Sequence, residues 1–91
     1  MVYVISYDLN EDNKNYPGVI RAIKNASNGL WCDCLKSTWV IKSELDSAAK
    51  VFNVIKPCLD SDDTCIVFEV KNNKQGQLEQ KHNNKLIEIF S

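Results

Sequence analysis

Histidine is almost missing from this sequence: His82 is the only one. A histidine-dependent mechanism would have to run through it, and a Cys/His zinc set would have one nitrogen ligand to draw on. Proline and glycine are also scarce, at two and three residues. They are too few to mark a domain boundary, and there is no linker or internal repeat, so residues 1–91 are expected to form one domain. No sign of charge dominates, since 11 basic and 12 acidic residues leave a net −1. The basic excess that drives non-specific DNA binding by neutralising phosphates is therefore absent. A transient nuclease, or a local basic patch on a dimer, stays open. No apolar run reaches membrane-spanning length, and no membrane partner is expected.

What is present is enough for one core: 44% of residues are hydrophobic and 25% are charged. A chain of this size buries only about two thirds of its unfolded surface, so dimerisation would add useful burial. There are four cysteines, Cys32, Cys34, Cys58 and Cys65, each in or beside an apolar segment. Met1–Tyr7 is too short and lacks the basic start of a signal peptide. Free buried thiols in a cytoplasmic protein are expected. Cys32-Asp33-Cys34 is C-x-C, not the C-x-x-C of zinc knuckles and redox sites.

Val2–Tyr7 is β-branched and aromatic, the pattern of a central strand covered on both faces. The polar run Asp8–Asn15 ends it in a loop. Tyr16–Ser27 has helical spacing, with Tyr16, Val19, Ile20, Ile23 and Ala26 on one face and Arg21, Lys24 and Asn25 opposite. Pro17 suits its first turn, Asn15 can cap it, and Gly29 suits its C-cap. Leu30–Leu35 and Ser37–Lys42 are expected as a strand pair or as one long bent strand, because neither Lys36 nor Ser37 favours the positive φ of a tight turn. Leu45–Ile55 is expected as a second helix, which Pro57 ends or kinks. Thr64–Val70 is the last clear strand, and residues 77–91 fit either a short helix or a strand. The order β-α-β-β-α-β plus a tail from 76 to 91 is that of the ferredoxin-like α+β fold, an antiparallel sheet with both helices on one face. Trp39 and Ile41 share one strand face while Thr38, Val40 and Lys42 share the other. An apolar open sheet face marks an interface, hence an expected homodimer.

Asp8 is the sharpest candidate for chemistry. A carboxylate at the end of a packed central strand is held rigidly, and two of them across a two-fold axis could share Mg²⁺, which favours carboxylates and retained waters. Such a metal could activate water or clamp a phosphate. The plainer reading is that Asp8 stops the strand and bonds to the loop that follows. Ser6 has no histidine placed to activate it. Glu11 and Asp12 could add ligands or form a solvated loop, and Asp60, Asp62 and Asp63 lack the glycine and distal glutamate of an EF-hand. Lys14, Arg21 and Lys24 form the one modest basic strip that could meet phosphates, or an ordinary solvated face. Trp31 and Trp39 could stack bases or anchor a core or interface.

Val4-Ile-Ser-Tyr-Asp-Leu9 resembles the first strand of the small CRISPR-associated adaptation proteins, the second member of the Cas series, and of the related VapD toxins and SinR-type proteins. Ser37–Lys42 and Asp60–Val70 extend the resemblance over Met1 to about Val70, nearest the SinR-type branch. It implies a homodimer with the aspartate matching Asp8 near the two-fold axis. In nuclease members that residue binds Mg²⁺ and supports phosphodiester hydrolysis. Where CRISPR members carry an arginine-rich segment, this chain has Asn10–Asn15, and the residues after Gly76 do not match the strand that crosses to the partner subunit. The resulting expectation is a homodimeric, metal-dependent nuclease acting on RNA or DNA through Asp8. Its alternative is a non-catalytic dimeric module for nucleic acid or protein, with Asp8 structural.

Overall fold

The computed structural model describes residues 1–10 and 16–91. Its elements are β1 (Val2–Asp8), α1 (Tyr16–Ala26), β2 (Leu30–Leu35), β3 (Thr38–Lys42), α2 (Ala48–Ile55), β4 (Thr64–Val70) and α3 (Gln80–Phe90), with a single 3-10 turn at Lys56–Cys58 after α2. The four strands form one sheet in the order β2-β3-β1-β4. Every neighbouring pair is antiparallel.

β1 lies inside the sheet. It pairs with β3 from Val2↔Lys42 to Ser6↔Thr38 and with β4 from Val2↔Val70 to Asp8↔Thr64. Successive strand side chains point to opposite faces. The odd residues Tyr3, Ile5 and Tyr7 join Trp39 and Ile41 in the main core. Helix α1 supplies Val19, Ala22, Ile23 and Ala26 to that core, and α2 supplies Val51 and Ile55. The opposite face has its own smaller cluster, in which Leu86 and Ile89 of α3 pack on Cys32, with Val2, Leu30, Cys34 and Val40 around them. The ambiguous tail is thus a helix. Its apolar residues recur at helical spacing, and they cover the β2–β3 half of a face that would otherwise be bare.

The β2–β3 connection is a two-residue turn. Ser37 adopts φ 60° there, the left-handed conformation its side chain disfavours. The Ser37 carbonyl accepts the Tyr7 amide at 3.1 Å, a bond that helps hold the turn. Gly29, at φ 100°, follows α1 as expected. The second helix starts three residues later than the sequence suggests. Ser47 caps it, its hydroxyl accepting the Lys50 amide at 3.1 Å, so residues 45–47 form the approach. Pro57 ends α2 by tightening it into the 3-10 turn rather than kinking it.

One polar knot ties the start of the chain to both helix connections. Ser43 is buried at 1% exposure. Its hydroxyl donates to the Ala26 carbonyl at 2.6 Å and accepts the Leu45 amide at 3.1 Å. Its backbone pairs with Met1 in both directions. Ser43→Ala strands two of these backbone groups and is expected to cost about 1–3 kcal/mol in urea unfolding. Ile89→Ala should cost about 2–5 kcal/mol, while Ile87→Ser, at a position 66% exposed, should stay within about 0.5 kcal/mol.

Candidate functional site

Asp8 is the last residue of β1, and its backbone pairs with Thr64 at the first residue of β4. The Thr64 hydroxyl donates to the Asp8 carbonyl at 3.4 Å. Ser6, Tyr7, Asp8, Thr64, Cys65 and Ile66 line a shallow depression of about 260 Å³ at this end of the sheet. Asp8 itself is exposed. Ser6 is not positioned as a nucleophile, since its hydroxyl meets that of Thr38 at 3.2 Å across the strands. Burial pushes the Tyr7 phenol and the Cys65 thiol up from their ordinary pKa values.

Parity decides what Asp8 faces. Val4, Ser6 and Asp8 alternate with the buried odd residues of β1, and their partners across the ladder are Phe68, Ile66 and Thr64. Asp8 therefore lies on the sheet face opposite the main core. On that face α3 covers β2 and β3, and Ile66 and Phe68 of edge strand β4 stay 51% and 54% exposed.

The acidic turn before β4 holds Asn10, two residues after Asp8. Asp63 accepts the Asn10 amide at 3.1 Å and the Asp60 amide at 2.8 Å, and Asp62 accepts the Asn10 side-chain amide at 2.9 Å. Among the described residues, Asp60, Asp62 and Asp63 are the one group of three with metal-ligand spacing. Their bonds give them a structural task, and Asp8 is not among them. Among the described residues lining the depression, the Asp8 carboxylate and the Ser6 and Thr64 hydroxyls are thus what the chain offers Mg²⁺. This fits an ion that keeps most of its waters, provided a second carboxylate comes from elsewhere.

Arg21 and Lys24 are not gathered around Asp8. Arg21 and Lys24 are exposed on α1, which packs on the other side of the sheet. The Lys24 ammonium sits 4.4 Å from the centre of the Trp31 ring. Trp31 stacks at 5.3 Å on Trp39, which is buried, so both tryptophans serve the core side. Lys14, Glu11, Asp12 and Asn15 lie outside the described residues.

The cysteines differ from expectation. Cys32 and Cys34 form a disulfide, while Cys58 and Cys65 are free. The Cys58 thiol donates to the Gly18 carbonyl at 3.5 Å, joining the 3-10 turn to α1. His82, the one histidine, has a side chain only 20% exposed, 3.9 Å from the Asp33 carboxylate. The sequence signal for this grouping was the C-x-C spacing on one strand face, but nothing local could bring His82 to it. No described helix is long and apolar enough to cross a membrane.

The raised Cys65 pKa predicts a smaller thiolate fraction than free cysteine has at the same pH. Alkylation of Cys65 by iodoacetamide, followed by peptide mass spectrometry, should be slow at pH 8 and should accelerate to higher pH than alkylation of free cysteine does. Neither a model of any known protein family nor any curated protein matches the chain.

Proposed function

We propose that the chain is a homodimer of ferredoxin-like fold whose paired Asp8 carboxylates hold Mg²⁺ and cleave RNA or DNA. The observation that carries this reading is the shared face: Asp8 lies in line with the uncovered apolar residues Ile66 and Phe68. The strand order β2-β3-β1-β4 and the two crossing helices support the fold assignment. A second copy laid two-fold on the bare half-face would bury Val4, Ile66 and Phe68 and bring both Asp8 residues to one seam. The metal would supply an activated water and a clamp on the phosphodiester. Asp8 would hold it, the Ser6 and Thr64 hydroxyls would orient its waters, and the apolar seam would keep the two halves in register.

A second reading is a non-catalytic dimeric module that binds nucleic acid or protein. It is favoured by the placement of Arg21 and Lys24 on the far side of the sheet from Asp8. In that reading the acidic turn and Asp8 simply finish the β1 end.

Phe68→Glu should convert a dimer to a monomer in analytical ultracentrifugation with the circular dichroism spectrum unchanged. Asp8→Asn should remove Mg²⁺- or Mn²⁺-dependent cleavage of RNA or DNA while the dimer and its melting temperature persist. A wild-type dimer that cleaves neither substrate with either metal leaves the module reading in place. A variant that loses stability and no activity does the same.

A further inference from the structure

We propose that Cys32 and Cys34 form a reversible dithiol–disulfide site that exchanges with thiols through the Cys34 sulfur. The bridge sits where the β2–β3 ladder loses its register. Cys32 pairs with Val40 and Leu35 with Thr38, so β2 spends one residue more than β3 between those pairs. Such a bulge re-aims side chains, and bulges are frequent beside active sites. An undistorted strand spaces residues i and i+2 by about 6.6 Å. Here the two Cα atoms are 5.2 Å apart, inside the range a disulfide spans.

The bridge is a poor staple. Its cysteines are two positions apart, and the chain-entropy benefit of a cross-link grows with the loop it closes. Removing it would release less chain freedom than removing a bridge that closes a long loop, so stability alone gives a weaker reason for its place. Its surroundings are those of an exchange site. Cys32 is 2% exposed, whereas Cys34 is only partly buried, so an incoming thiolate meets Cys34 first. Cys32 then leaves as a thiolate into a cavity of about 220 Å³ lined by Trp31, Asp33, Lys81, His82 and Lys85. Three of those side chains are cationic or able to become so, and Asp33 opposes them, standing 3.9 Å from His82. Positive neighbours favour a departing thiolate.

The exchange balances in two steps. A thiolate bonds to the Cys34 sulfur as the Cys32–Cys34 bond breaks, and the electron pair goes to Cys32. A second thiolate, from the same dithiol or from another monothiol, bonds to the sulfur already carried by Cys34 and releases Cys34 as a thiolate. Two electrons have passed to the pair, the partner is oxidised to a disulfide, and the two thiol protons end on Cys32 and Cys34. The reverse sequence reduces a partner disulfide to two thiols and restores the Cys32–Cys34 bridge.

The test is to equilibrate the full chain across a series of reduced-to-oxidised glutathione ratios, quench with acid, alkylate and map the peptide Asn25–Lys36, which carries both cysteines. The expected result is coexistence of bridged and doubly alkylated peptide at intermediate ratios, reached from either direction. In Cys32→Ser, oxidised glutathione should modify Cys34 roughly tenfold faster than it modifies Cys32 in Cys34→Ser, as access dictates. A bridge intact across the whole series, or a peptide fully alkylated even in oxidised glutathione alone, overturns the proposal. Equal rates in the two variants overturn the assignment of Cys34 as the point of attack. Peptide mapping of the wild-type chain gives the first readout even if a variant fails to fold.

Discussion

β1 is bonded along both edges, and every other part of the molecule takes its position from that strand. Tyr3 and Ile5 are fully buried on one side of it, each contributing about 1.5–3 kcal/mol of apolar burial. The two ladders fix register, and a slip of one residue would send this whole set to the opposite face. The same constraint places Asp8. Its orientation is not a loop accident but the parity of a strand whose odd residues have no other place to go. The Ser43 knot adds a second anchor, holding Met1 against the segment that leads from β3 to α2.

The second face of the sheet is where the molecule is asymmetric. Helix α3 buries Leu86 and Ile89 over β2 and β3, and Lys42 donates from β3 to the Ser91 carbonyl at its end. Toward the Asp8 end of β1, and over Ile66 and Phe68 of β4, there is no such cover among the described residues. The Lys74 ammonium lies 4.3 Å from the Phe90 ring at the margin, so α3 and the approach to it are closed against each other. What remains bare is the apolar pair Phe68 and Ile66, beside half-buried Val4, with a polar end at Asp8 and Thr64. An apolar strip beside an unpaired strand edge is a standing invitation to association. That is the physical basis on which the dimer reading rests.

Charge and sulfur are distributed to different ends of the fold. The acidic turn binds Asn10 just after β1, while Arg21 and Lys24 face solvent from α1. The near-neutral total hides this separation. On β2, the bulge that accommodates the turn at Ser37 also brings Cys32 and Cys34 together beneath α3, whose His82 and Lys85 border them. A backbone irregularity in one hairpin thereby creates a chemical grouping remote from Asp8.

Much of the fold was legible from local pattern. The β-branched run of β1, the 3.6-residue stripe of α1, the alternation of Trp39 and Ile41, and Gly29 after α1 each follow from interactions within a few residues. So did Asp8 as the end of a packed strand. Two points were closed to local reasoning. Whether Leu86 and Ile89 sit on a helix or a strand depended on which sheet face lacked cover. Whether Lys36-Ser37 turned or ran on depended on a bulge in β2 and on the Tyr7 amide, which lies 30 residues away and supplies the hydrogen bond to Ser37. The sequence by itself determined β1, α1 and β4 and the inward face of α1, because periodic burial needs only neighbours in the chain. Tertiary structure alone decided that Asp8 looks away from Arg21 and Lys24, that His82 meets Asp33, and that two cysteines expected as free thiols are joined, because each depends on which sheet face a distant element occupies.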